Sequence, residues 1–172
     1  QGAESYIFDL RNNGGGYAHE CIGMLDVLLP PMEVASLKGR EAGKPYTETW
    51  KTSKPALVPE DTKFVVLLNE NSASASELFT GVLHDLGRAV IVGQKSFGKG
   101  VGTITYQLED KSAVQVTNFE YYLPKGECIE GKGLDPDYPA ALSKEAAGKP
   151  ISMLTIEEDT QLSKAIEILR SK

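Results

Sequence analysis

The chain has 172 residues, of which 41% are hydrophobic and 24% charged, the balance of one globular domain with a core of its own. Its formal net charge of −6 disfavours nucleic acid or any extended polyanion as a partner. No apolar run approaches the roughly 20 residues that span a bilayer, and the opening Gln1-Gly2-Ala3-Glu4 does not read as a signal peptide. Ser5 to Leu10 is a short apolar run that reads as a buried strand, and it enters the turn cluster Asn12-Asn13-Gly14-Gly15-Gly16. A start this close to a strand reads as a fragment of something longer.

From Ala18 to Leu29 the periodicity is helical, and Pro30-Pro31 stop it. Met32 to Leu37 and Tyr46 to Lys51 read as two strands joined by the polar link Gly39 to Lys44, and Pro55 to Thr62 reads as a loop. Lys63 to Leu68 is a second buried strand. Ser74 to Leu86 is a helix with Gly87 as its cap, and Ala89 to Val92 is a third strand. Val101 to Leu108 and Ser112 to Tyr122 form a hairpin around Glu109-Asp110-Lys111. Pro124 to Pro139, rich in Gly, Pro and charge, is an ordered loop. Thr155 to Ser171 is a final amphipathic helix with acidic residues in its first turn. Helices alternating with buried strands, followed by more strands, predict a layered α/β domain. The two cysteines, Cys21 and Cys128, read as reduced residues more readily than as a pair, and no spacing suggests a zinc site.

Two stretches carry the chemistry. In Asn71-Ser72-Ala73-Ser74-Ala75-Ser76-Glu77 three serines compete. Ser74-Ala75-Ser76-Glu77 has the form of a capping box, so Ser74 could be a cap and nothing more. The cap position is also what a nucleophile needs. A sharp turn after a strand presents the hydroxyl, and the unpaired N–H of Ala75 lies at the positive end of the helix dipole, where an oxyanion would form. A serine needs a base to attack an amide. His84 follows Ser74 by ten residues on the same helix, roughly 15 Å away at about 1.5 Å per residue, so His84-Asp85 cannot serve it. His19 could approach only through the tertiary fold.

Lys99, in Ser96-Phe97-Gly98-Lys99-Gly100, is the better candidate. A free lysine is neutral in only about one molecule in a thousand near pH 7.4, and apolar surroundings disfavour the ammonium form. Phe97 and the strand after Gly100 supply such surroundings. Gly93 to Gly100 also approaches the phosphate-loop pattern. It fails because Gly100 stands where a hydroxyl should bind magnesium, and because a strand follows where a helix should.

These residues resemble the C-terminal processing peptidases, or tail-specific proteases, of the Ser-Lys type. The resemblance rests on Asp9-Leu10-Arg11-Asn12-Asn13-Gly14-Gly15-Gly16, the segment around Ser74, Gly87-Arg88-Ala89, Phe97-Gly98-Lys99-Gly100, Tyr121 to Gly126 and Gly131 to Asp137, in order and at similar spacing. It implies a crotonase-like or Clp-protease-like α/β core, with Ser74 as nucleophile, Lys99 as base, and the Ala75 and Gly16 amides as the oxyanion hole. Glu77 and Asp85 match supporting acidic positions. No cofactor is implied. The implied partners are protein or peptide tails, and the implied location is extracytoplasmic, at a bacterial envelope. Thr103 stands where many members carry a glutamine that positions the lysine. Residues 1–172 would be the catalytic core, without the PDZ domain and the first core strand and helix that members carry. A catalytically silent scaffold fragment and a Ser-His hydrolase using His19 are the alternatives, and oligomeric state stays open, a homo-oligomer included.

Overall fold

A computed structural model describes residues 3–171. Strand Ser5–Asp9 (β1) runs through the glycine loop into helix Ala18–Leu28 (α1), and strands Glu33–Glu41 (β2) and Lys44–Lys51 (β3) follow as a hairpin. Strand Lys63–Leu68 (β4), helix Ala75–Asp85 (α2) and strand Ala89–Gly93 (β5) make a parallel crossover unit. Strands Val101–Gln107 (β6) and Ala113–Tyr122 (β7) form a second hairpin. Strand Tyr138–Pro139 (β8), helix Lys144–Ala147 (α3), a 3-10 turn at Ile151–Met153 and helix Thr160–Arg170 (α4) complete the order.

Two four-stranded sheets result, a parallel one in the order β1-β4-β5-β8 and an antiparallel one in the order β3-β2-β7-β6. The mixed α/β expectation is met. β4 shows why the parallel sheet is central: five of its residues are buried, and alternation sends them to two faces. Phe64, Val66 and Leu68 face α1 and α2 in the main core, which Tyr121 and Leu123 join from the antiparallel sheet. Val65 and Leu67 face α4, against Ala165 and Ile168. Among the described residues, no helix is long and apolar enough to cross a membrane.

Several boundaries differ from the sequence reading. β1 is not buried. Among the described residues it pairs with β4 alone, and its residues are exposed or half-buried, because it is an edge strand. The link expected over Gly39 to Lys44 is mostly strand, since Ala42 and Gly43 both adopt positive φ (49° and 78°) and turn the chain in two residues. The loop expected from Pro124 to Pro139 ends in β8, which adds to the open edge of β5. The last helix starts at Thr160 rather than Thr155, because the buried Asp159 caps it by accepting from the Leu162 N–H. α2 ends as expected at Gly87. The Gly87 N–H bonds the His84 carbonyl and the Arg88 N–H bonds the Leu83 carbonyl, the paired bonds of a Schellman motif.

A buried ion network ties α4 to the end of β1. The Arg11 guanidinium bonds both oxygens of Asp159 at 2.8 Å, Asp9 at 2.6 and 2.9 Å, and Gln161 at 2.8 Å. Arg11 leads into the glycine loop, so α4 anchors that loop from beneath. Burial alone would raise the Asp159 carboxyl, but Arg11 and the Leu162 N–H hold it below the usual carboxylate range. Its stabilising contribution is therefore complete above the unfolded value near pH 4 and is lost as pH falls through the folded value. Arg11→Met should lower the unfolding free energy at pH 7 by about 3–5 kcal/mol, because Asp159 is left buried and unpaired. Urea titrations at pH 7 and pH 3 test this: the gap between Arg11→Met and the unsubstituted chain should narrow at pH 3, and an equal gap at both would contradict it.

Candidate active site

Beyond β4 the chain turns sharply through residues 69–73 and reaches Ser74, whose φ of 58° and ψ of −119° are rare for a residue with a side chain. Such a conformation persists only if its surroundings hold it. The Ala73 N–H bonds the Asn13 carbonyl at 3.0 Å, and the Ser72 hydroxyl bonds the Leu10 carbonyl at 2.8 Å. The Asn69 and Asn71 carboxamides donate to the Asn12 side chain, while the Asn69 carbonyl oxygen accepts from the Asn12 N–H. The glycine loop and the serine turn are thus one hydrogen-bonded unit.

This arrangement separates the three serines. Ser72 is fully buried and its hydroxyl is consumed by backbone. Ser76 is buried on α2. Ser74 is half-buried and lines a cleft of about 550 Å³. It stands at the N-cap of α2, where it forms a capping box with Glu77, whose carboxylate accepts from the Ser74 N–H at 2.9 Å. Ala75, the first helical residue, has an N–H with no acceptor inside the helix. Gly14, Gly15 and Gly16 line the same cleft. Gly15 is the tight member, with φ of +89°. A Cβ there would come within 2.6 Å of the Ala73 carbonyl oxygen and 2.7 Å of the Ala75 nitrogen. Gly16 has open space around it.

Lys99 lies in the connection between β5 and β6, the segment that passes from one sheet to the other. The fully buried Glu77 carboxylate holds that connection. It accepts from the Ser96 hydroxyl at 2.5 Å, the Gly98 N–H at 2.7 Å and the Lys99 N–H at 2.8 Å, and from the Ser74 N–H at 2.9 Å. One carboxylate therefore fixes the backbone of both Ser74 and Lys99. Tyr121 on β7 makes a second bridge: its hydroxyl reaches the Lys99 carbonyl at 2.8 Å and the Ser74 carbonyl at 3.2 Å. Burial first, and the nearby Glu77 charge second, push the Tyr121 phenol up, so it stays protonated and donates.

The cleft brings together all four residues expected from the sequence, Gly16, Ser74, Ala75 and Lys99. The Lys99 side chain is half-buried and forms no ion pair among the described residues. The opposite wall is the β6–β7 hairpin, where Thr103 accepts a hydrogen bond from Gln115 at 2.9 Å. Trp50 and Phe119 stack edge-on at 5.5 Å in the same wall. His19 does not line the cleft; it is exposed beside Glu20 and Tyr17. His84 faces Asp137 at 3.1 Å, and Asp85 accepts from the Lys125 N–H at 2.9 Å, so both serve the scaffold. Both cysteines are free thiols. Burial pushes the Cys21 thiol up to about 12, which makes it a poor nucleophile.

Three contributors escaped the sequence reading. Tyr121 sits in the stretch Tyr121 to Gly126, and only the alternation of β7 could have pointed it inward. Ser96 accepts from the Leu134 N–H while donating to Glu77. Glu130 accepts from the Gly100 N–H at 2.6 Å and closes the far side of the lysine loop.

Residues 1–140 match peptidase family S41. The "Probable CtpA-like serine protease" of Staphylococcus epidermidis is 39% identical over 145 residues, which cover 84% of this chain and 29% of that protein. Among solved structures, a photosystem II D1 C-terminal processing protease superposes with a TM-score of 0.70 at 30% identity, over 82% of this chain and 36% of that one. A lipoprotein from Streptococcus agalactiae shares the fold alone, with a TM-score of 0.73 at 18% identity over 99% of this chain and 56% of that one. The chain belongs to peptidase family S41, and its layered core is the Clp-like, crotonase-like one expected from the sequence. It spans less than a third of the length of the curated relatives it matches.

Gly15→Ala should cut labelling of the chain by a fluorophosphonate at least about tenfold, since a Cβ there would push against the peptide groups on either side of Ser74 and strain the backbone. Labelling at the unsubstituted rate would show that the loop yields without cost.

Proposed function

We propose that this chain is the catalytic core of a serine endopeptidase that cuts near the C-terminal tails of protein substrates, with Ser74 as nucleophile and Lys99 as general base. The observation that carries this reading is the Glu77 carboxylate, which bonds the N–H groups of Ser74 and Lys99 at once. The tie holds a serine at positive φ and a lysine 25 residues on at one cleft, an arrangement that suits a dyad.

Neutral Lys99 takes the Ser74 proton as the oxygen attacks the substrate carbonyl carbon. The oxyanion that forms accepts from the Ala75 and Gly16 N–H groups, which need no reorganisation because the loop and the helix start are already locked together. Collapse breaks the C–N bond, and the Lys99 ammonium gives its proton to the leaving amine. Lys99, neutral again, deprotonates a water that hydrolyses the acyl-serine.

The substrate class is proposed from the name of the D1 C-terminal processing protease and from the CtpA-like relatives. β6 supports it, being an edge strand with Thr103 and Thr105 on the cleft wall, where an extended tail can add as a further strand. The parent enzyme would act outside the cytoplasm, and residues 1–172 would be its core domain. Cleavage of an unstructured peptide tests the reading. Ser74→Ala and Lys99→Ala should each lower kcat/KM by at least about a thousandfold while retaining the circular dichroism spectrum. Cleavage that survives Lys99→Ala would remove lysine as the base.

A further inference from the structure

The oxyanion hole described above takes one amide from a loop that offers three in a row. Gly14, Gly15 and Gly16 all line the cleft, and none carries a side chain that would bias the direction of its peptide plane. A donor serves a developing oxyanion only if it is aimed before the reaction starts. Something outside the glycines must therefore decide which N–H faces the cleft.

The hydrogen bonds of the loop are unequal. The Gly15 N–H donates to the side-chain oxygen of Asn13 at 2.9 Å, a local bend that asparagine favours. Among the described residues, the Gly14 and Gly16 N–H groups find no acceptor. Asn13 is itself held at both ends of its backbone. Its N–H donates to the Leu10 carbonyl at 3.1 Å, and its carbonyl accepts from the Ala73 N–H at 3.0 Å. Its backbone thus joins the loop to the serine turn, while its side chain closes the bend of the loop. That bend is tight: a Cβ on Gly15 would lie 2.7 Å from the Ala75 nitrogen, so the Gly15–Gly16 peptide begins beside the other expected donor. Asn13 does not line the cleft; it borders a separate pocket between the glycine loop, α1 and α2, with Cys21, Met24 and Phe79.

We propose that the Asn13 carboxamide selects the oxyanion donor: it takes the Gly15 N–H for itself, outside the cleft, and so leaves the Gly16 N–H to converge with the Ala75 N–H on the substrate oxygen. Without that bond the peptide planes of the three glycines can rotate, because among the described residues no other hydrogen bond holds them. Asn13 is a positioning residue, since it acts through the loop and touches no reacting atom. The inference rests on the reading of Ser74 as nucleophile and Gly16 as second donor given above.

Two peptides separate the hole from the rest of the cleft. With a peptide aldehyde, the Ser74 oxygen bonds the carbonyl carbon, the serine proton passes to the former carbonyl oxygen, and that oxygen occupies the hole. The same peptide ending in a primary alcohol makes only the ground-state contacts. Asn13→Leu, which keeps the size and removes the acceptor, should weaken aldehyde binding about tenfold to a hundredfold and change alcohol binding less than about twofold. Asn13→Asp keeps an acceptor oxygen in the same place and should restore aldehyde binding to within about threefold. Asn13 is exposed, so these variants leave the core alone, and Asn13→Ala should match Asn13→Leu. Proton–nitrogen-15 spectra of a glycine-labelled chain give a second readout. The Gly16 amide proton should move downfield when the aldehyde binds while the Gly15 proton stays, and the Gly16 movement should vanish in Asn13→Leu. Equal losses of aldehyde and alcohol binding would make Asn13 a general prop of the cleft and overturn the inference, as would a Gly14 or Gly15 proton that moves in place of Gly16. Ser74→Ala distinguishes the two levels. If the aldehyde advantage vanishes in Ser74→Ala but persists in Asn13→Leu, this inference alone fails; if the unsubstituted chain shows no aldehyde advantage, the nucleophile reading fails with it.

Discussion

A carboxylate with no exposure to water holds this molecule's cleft together. Burying an ionised Glu77 costs several kcal/mol unless donors replace its hydration, and here three N–H groups and one hydroxyl do so. Those donors come from two separated places in the chain, the start of α2 and the connection from β5 to β6. The penalty for leaving Glu77 bare is therefore also the force that keeps the two places together. Bonds to an ionised acceptor are short and about twice as strong as neutral ones, which suits a task that demands fixed geometry.

The rest of the architecture can be understood as support for that contact. The parallel sheet delivers Glu77 through the crossover from β4 to β5, and the antiparallel sheet delivers Tyr121 from β7 to the other side of the same two backbones. The loop after β7 closes on the lysine segment: a Cβ at Gly98 would fall 2.8 Å from the Gly133 nitrogen, and Ser96 exchanges backbone and side-chain bonds with Leu134. Beneath the glycine loop, Arg11 and Asp159 join the end of β1 to α4. The site thus rests on contacts between elements far apart in the chain: the glycine loop and the start of α2 make one wall of the cleft, and the antiparallel sheet makes the other.

Legibility in the sequence followed range. The strand, sharp turn and helix around Ser74 were readable because capping chemistry is local: Ser74 and Glu77 are three residues apart, and the Glu77 arm of the box is made. The second use of Glu77, toward Gly98 and Lys99, was not readable, because nothing local says where a buried carboxylate finds its other donors. The Arg11–Asp159 pair spans 148 residues and leaves no periodic trace. The Thr103–Gln115 contact depends on hairpin register, and β6 and β7 carry a bulge between Gly102 and Thr103 that shifts it. β1 was misjudged as buried because an apolar run does not distinguish a central strand from an edge one. The helix at Ser74 was legible, then, while the cleft it borders came from tertiary register.

The most direct measurement is the mass of a fluorophosphonate adduct, mapped by peptide, on the unsubstituted chain and on Lys99→Ala at matched probe concentration. The account predicts one adduct, on Ser74, in the first and none in the second. An adduct on Ser72 or Ser76, or undiminished labelling of Ser74 without Lys99, would contradict it.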